Sequence, residues 1–132
     1  MIVREALVAD PLVLQGDAPA RAAAAVLVKP HVTSVLVADG DRLLGSVTEE
    51  AIVAAVAQDR DLRSLPVSEL ADADVATVSP DTPLDEALLL MAEAGHERLA
   101  VVEDGRLLGI LPREPSVRRL AEDEPPPPLE ES

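Results

Sequence analysis

No phenylalanine, tyrosine, tryptophan or cysteine occurs among the 132 residues of this chain. Without an aromatic ring there is no platform for an unstacked base, which argues against binding single-stranded nucleic acid. The formal net charge of -14 points the same way, because such a surface repels a phosphate backbone instead of neutralising it. Absence of cysteine removes both a disulfide framework and a thiolate metal site. No apolar run approaches the ~20 residues of a membrane span. The start, Met1-Ile2-Val3-Arg4-Glu5, lacks the charged region and apolar core of a secretory signal. These absences lead to the expectation of a cytoplasmic protein with neither a membrane nor a nucleic-acid partner. Lysine is nearly missing as well: Lys29 stands against ten arginines, which reads as a compositional bias.

What is present suffices for a core. Hydrophobic residues make up 48 % of the chain, so the interior must be built from Leu, Val, Ile and Ala, with two methionines as adaptable fillers. Their distribution follows an internal repeat. Displaced by 64 residues without a gap, Arg42-Leu43-Leu44-Gly45 falls on Arg106-Leu107-Leu108-Gly109. In the same register Asp17 and Pro19 fall on Asp81 and Pro83, and Val3, Glu5, Asp10, Ala23, Val37 and Val53 on Val67, Glu69, Asp74, Ala87, Val101 and Val117. One fixed offset over both halves means a duplicated structural unit. Two copies are too few for a solenoid, so a closed pseudo-two-fold pair is expected, with function in the cleft between the halves. The expected divisions are repeat 1 at residues 1–64, repeat 2 at 65–122 and a disordered Pro-rich acidic tail over 123–132.

The hydrophobic period changes in the same order in each copy. An apolar segment (3–8; 67–70) leads into a short strand within 11–14 or 75–78. A helix follows, with Asp17 or Asp81 upstream and Pro19 or Pro83 in its first turn. In the second copy Leu84, Ala87, Leu88, Met91 and Ala92 recur on one helical face; the first copy's helix is Ala-rich and suited to close packing. Strands at 33–38 and 98–103 turn through Asp39-Gly40-Asp41 and Asp104-Gly105 into return strands at 42–48 and 106–111. Gly45 and Gly109 lie inside the return strands, which suggests a bulge or a close approach of backbone or ligand. Last helices are expected at 49–59 and 116–122. The fold class is therefore α+β, a tandem of β-α-β-β-α units. In the tail, Glu124-Pro-Pro-Pro-Pro-Leu-Glu-Glu-Ser132 reads as a polyproline-II-like extension, either a frayed end or a segment for a partner's aromatic groove.

This tandem, with Gly45-Ser-Val-Thr48 closing one hairpin, resembles the CBS domain, the module named after cystathionine β-synthase. The likeness runs from residue 1 to about 122. Its most typical stretches are Val78-Ser-Pro-Asp-Thr-Pro-Leu-Asp-Glu-Ala87, Met91, Gly95-His96 and Val101-Val-Glu-Asp-Gly-Arg-Leu-Leu-Gly109. The resemblance implies a CBS pair, or Bateman module, assembled as a homodimer. It also implies an adenosine-containing ligand (AMP, ADP, ATP or S-adenosylmethionine), no required cofactor, and regulation of an attached or separate partner protein.

By the same resemblance, the ligand site takes a Gly-x-x-Thr/Ser-x-x-Asp pattern, with the hydroxyl and a helix N-terminus on phosphate and the Asp on ribose. Here Ala51 and Pro115 stand at the Asp positions, and Pro112 replaces the second hydroxyl. The candidate binding residues are Thr48, Thr77, Val78, Leu99, Ala100 and Arg113. Thr48 reads either as an N-cap alone or as a cap that also meets the ligand. Arg113 reads either as a phosphate fork or as a solvated surface side chain. His31 and His96 are isolated beside turns, and the carboxylates are scattered along solvated faces. The serines lack any nucleophile-elbow context, so neither catalysis nor a metal site is expected. Two readings remain: a stand-alone ligand-sensing regulatory module, or a degenerate pair that serves dimerisation or protein docking. Ala51, Ile52, Ala55 and Val56 form the stripe expected at a dimer interface or against the other copy.

Overall fold

The computed structural model describes residues 1–123; of the tail expected over 123–132, Asp123 is instead the last residue of a helix and the rest lies outside the described residues. Within them are β1 (Leu14–Gln15), α1 (Ala20–Leu27), β2 (Ser34–Asp39), β3 (Arg42–Thr48) and α2 (Glu49–Ala57). The second copy supplies β4 (Thr77–Val78), α3 (Leu84–Ala94), β5 (Arg98–Glu103), β6 (Arg106–Pro112) and α4 (Arg113–Asp123). Short 3₁₀ turns at Val3–Glu5 and Val67–Leu70 open the copies. The fold is α+β, with the element order repeated as the sequence implied.

The chain forms two compact units. The first comprises Asp10–Ala76 with the turn Asp104–Leu107. In it β1 runs parallel to β2, and β2 antiparallel to β3. Val37 faces Gly45 while Ala38 faces Leu43, so Leu44 is the additional residue of a bulge. Ala20, Ala23, Val37, Val47, Ile52 and Ala55 form the core, and Leu65 and Val67 close it. The segment carrying those last two residues is sewn on through its backbone. Ala20 N–H donates to Leu65 C=O at 2.7 Å, Val67 N–H to Ala18 C=O at 2.7 Å and Ser68 N–H to Gly16 C=O at 3.1 Å. Ser46 and Asp72 exchange both their bonds, at 2.9 and 2.8 Å.

The second unit comprises Met1–Ala9, Thr77–Glu103 and the chain from Leu108. Its strand order is β6-β5-β4, with β4 parallel to β5. Val3, Leu84, Ala87, Met91, Val101 and Leu111 are fully buried. The first unit's backbone stitches recur with every residue displaced by 64. Leu84 N–H donates to Met1 C=O, Val3 N–H to Thr82 C=O and Arg4 N–H to Pro80 C=O, all at 2.8–2.9 Å, and Val8 and Ile110 exchange both bonds. In each unit, then, the opening segment of one copy is an added layer of the other copy's core.

Gly45 and Gly109 sit under these crossings. A Cβ on Gly45 would collide with the Asp72 carbonyl, and one on Gly109 would lie 2.5 Å from the Val8 carbonyl oxygen. The expected close approach is thus of backbone, and in the first unit the bulge lies one residue away.

Several boundaries differ from the sequence reading, each for a local reason. Pro19 and Pro83 are the extended N-caps of α1 and α3, not first-turn residues. Bonds to the other copy's opening segment hold the chain extended there. β1 and β4 are two residues each, because only their last residues meet the parallel neighbour. The last helix of the second copy begins at Arg113 rather than 116. Pro115 then falls in the first turn, where no intrahelical donor is required. In the α3 face Leu84, Ala87, Leu88 and Met91 are buried as expected, but Ala92 is exposed. The expected α2 stripe divides: Ile52 and Ala55 join their own unit's core and Ala51 packs against it, whereas Val56 is 55 % exposed.

Because backbone cannot yield as a side-chain tip can, Gly45→Ala is expected to cost about 2–3 kcal/mol by overpacking. Gly40, at φ 62° with open space around it, should lose only about 1–2 kcal/mol on the same change, the cost of a left-handed L-residue. Urea denaturation of the two variants beside the parent protein measures the difference.

Candidate functional site

Thr48 ends β3 and caps α2. Its hydroxyl accepts the Ala51 N–H at 3.3 Å, and Glu49 and Glu50 occupy the first turn, where they complement the helix dipole. The side chain is exposed, as are both glutamates. The helix start therefore combines amide donors suited to an anion with two carboxylates that oppose one. An apolar groove of about 500 Å³ runs from this point between α1 and α2, lined by Ala24, Leu27, Val28, Glu49, Ile52 and Val53.

The other candidate residues belong to the second unit. Thr77 pairs with Ala100 and Val78 with Val101 in the parallel β4–β5 ladder. Val78, Leu99 and Ala100 are buried, while Thr77 is exposed at the strand start. Arg113 opens α4 half-buried, and its N–H donates to the Glu97 carbonyl at 2.9 Å. That bond brings the helix start against the entry to β5, beside Leu99 and Ala100 in sequence. Pro112 takes the place that Thr48 holds in the first copy, so α4 begins without a hydroxyl cap. Thr77, Val78, Leu99, Ala100 and Arg113 thus share one unit, and Thr48 lies in the other.

Sequence reading passed over two features. Ser116 is 1 % exposed, and its hydroxyl has no hydrogen-bond partner among the described residues. The 64-residue offset places it on Ile52, an apolar core position, which is the signal that could have singled it out. Arg4 bridges Glu103 at 2.9 Å and Asp81 at 3.4 Å. The hydrogen bond to Glu103 is the main cause that holds the Arg4 guanidinium above its ordinary pKa, and Asp81 adds to it.

This duplicated β-α-β-β-α geometry can now be set beside known proteins. The CBS domain family matches residues 3–58 and again 67–114. The chain belongs to the CBS domain family. A curated relative, an uncharacterized protein of Methanocaldococcus jannaschii, is 29 % identical over 119 residues, covering 82 % of this chain and 60 % of its own length. The chain thus spans about three-fifths of that relative. Among solved structures it is similar to CBSX2 in complex with AMP (27 % identity, TM-score 0.71, 94 % of this chain and 98 % of that one). It is also similar to the CBS domain pair of protein MJ0100 in complex with 5-methylthioadenosine and S-adenosyl-L-methionine (25 % identity, TM-score 0.63, 91 % and 98 % covered). The family match indicates no catalytic family, and no helix among the described residues is long and apolar enough to cross a membrane.

Within this CBS pair the Thr48 cap has a definite structural weight. Thr48→Ala should lower stability by about 1 kcal/mol, and Thr48→Asn, which keeps an accepting oxygen, should restore most of it. Ser116→Ala removes a buried hydroxyl left without a partner and should leave stability unchanged or raise it by about 1 kcal/mol. Thermal melts followed by far-ultraviolet circular dichroism read both effects.

Proposed function

We propose that this CBS pair is a regulatory module that senses an adenosine nucleotide or related metabolite and signals to a separate partner protein as a homodimer. The observation that carries the reading is the exposed hydroxyl of Thr48 at the amino-terminal end of α2, directly after Gly45-Ser-Val. A hydroxyl beside unpaired helix amides is a phosphate-binding arrangement. CBSX2 with AMP and MJ0100 with its two adenosine-containing ligands support the ligand class. Thr77, Val78, Leu99, Ala100 and Arg113 are the second-copy residues assigned to that ligand. AMP, ADP, ATP and S-adenosylmethionine are the candidates, and no cofactor is required. Sensing would act by population shift, the ligand favouring one arrangement of the assembly over another.

A second reading has its own support. Ala51 and Pro115 replace the ribose carboxylate in both copies, and Glu49 and Glu50 repel a phosphate at Thr48. Val28 and Val53, 83 % and 60 % exposed, border the α1–α2 groove. A pair without a ligand would use that apolar face to dimerise or to dock a protein.

Isothermal titration calorimetry with the four candidates separates the readings, and it suits a chain without Trp or Tyr fluorescence. Micromolar binding, about -8 kcal/mol, that Thr48→Val weakens is the expected result for a sensor. No heat from any candidate, with a concentration-dependent dimer in sedimentation, would leave the docking reading.

A further inference from the structure

We propose that the hairpin end of the first unit is a binding site for a guanidinium group. The two copies differ at this place in a way that is independent of any adenosine ligand. In the second unit Arg4 reaches from the other copy's opening segment to two carboxylates. One is Asp81, just ahead of α3, and the other is Glu103, at the end of β5. The offset of 64 residues carries Arg4 to Ser68, Asp81 to Asp17 and Glu103 to Asp39. The backbone beneath is the same in both units. Ser68 N–H donates to Gly16 C=O as Arg4 N–H donates to Pro80 C=O, and Val67 N–H to Ala18 C=O as Val3 N–H to Thr82 C=O. The first unit has therefore kept the two carboxylates and the frame that aims a side chain at them, but holds a serine where the cation stands.

A cavity of about 440 Å³ lies at this place, lined by Gln15, Gly16, Asp17, Asp39, Leu44, Pro66 and Ser68. That volume lies within the ~300–1,000 Å³ range of small-ligand sites. Neither Asp17 nor Asp39 has an ion-pair partner among the described residues. Gln15 is committed to the rim: its Oε1 accepts the Gly40 N–H at 2.8 Å and its Nε2 donates to the Gly40 carbonyl at 3.3 Å. Leu44, pushed out of register by the bulge, and Pro66 give the cavity an apolar wall. Carboxylates are acceptors only, so the ligand must be a donor and a cation. A planar group with several fixed N–H donors and two weakly hydrated faces satisfies the carboxylates and the wall together. A metal ion fits less well, because no group of three or more His, Cys, Asp or Glu residues able to hold one occurs among the described residues. The guanidinium is either free, as in an arginine-like metabolite, or the side chain of an arginine on a partner.

The test is an amide-resolved NMR titration of the full chain with L-argininamide, and with L-lysinamide as a control of equal charge. Shifts at Gly16, Asp17, Asp39 and Ser68 for argininamide, weakened at least about tenfold in Asp17→Asn/Asp39→Asn, are expected for paired charge-assisted bonds. Ser68→Arg supplies the missing group from within, so it should raise Tm and abolish the argininamide response. An arginine-containing tripeptide that binds more tightly than argininamide assigns the source to a partner chain; the reverse assigns it to a free metabolite. Equal shifts with lysinamide, or a response that Ser68→Arg leaves intact, would overturn the proposal.

Discussion

Each core in this chain is finished by the opening segment of the other copy, and that segment can lie close enough only because it crosses a glycine. Gly45 lies under the Asp72 carbonyl and Gly109 under the Val8 carbonyl, and a side chain at either place would meet backbone oxygen. The crossings matter because the interior has no aromatic residue to fill space. Leu65 and Val67 in one unit and Val3 in the other bring aliphatic volume that the helices and strands of a single copy lack. Each such side chain contributes about 1.5–3 kcal/mol when fully buried, against a total domain stability of about 5–15 kcal/mol. Losing the crossing would remove two such side chains from the first unit and also orphan the backbone groups of Ser46 and Gly16.

The same constraint positions the chemistry. β3 must pass straight under the crossing at Gly45 before it ends at Thr48, so the start of α2 is held by the core and not by a free loop. In the second copy the strand passes under Val8 at Gly109 and ends at Pro112. The helix that follows is anchored by the Arg113 N–H bond to Glu97 instead of by a hydroxyl. Two equivalent helix starts are thus delivered by equivalent backbone with different capping chemistry. The first has an accepting side chain and two glutamates; the second has neither a hydroxyl at the cap nor a carboxylate at the following residue.

The repeat, the α+β order, both hairpins and the Thr48 cap were legible from sequence, because each rests on local chemistry: period, turn residues and capping side chains. The close approach at Gly45 and Gly109 was legible as a need for glycine, but not as to what approaches, since Asp72 and Val8 come from segments with no strand signal of their own. Pro19 and Pro83 were read as first-turn residues because proline's fixed φ suits both positions; the backbone bonds to the other copy's opening segment decide for the N-cap. The α4 start at Arg113 was hidden by Pro112 and Pro115, which look like breakers until the first turn's spare donors are counted. For the candidate site, the sequence located Thr48 at a helix start but left Arg113 ahead of the helix expected at 116–122, and the burial of Val78, Leu99 and Ala100 depends on packing that residue types alone do not reveal.

Duplication makes such differences interpretable, since each copy is a control for the other in the same solvent and the same chain. A buried Ser116 whose hydroxyl has no hydrogen-bond partner among the described residues stands where Ile52 fills the core. A guanidinium stands between Asp81 and Glu103 where Ser68 leaves Asp17 and Asp39 facing a cavity. The second difference leaves the backbone undisturbed, because the stitches at Arg4 and Ser68 are main-chain bonds that no side chain supplies. That independence lets the crossing segment carry arginine in one copy and serine in the other without changing the fold. It also confines the consequence to charge: the second unit neutralises its hairpin end internally, and the first leaves two acceptors open to a cation from outside.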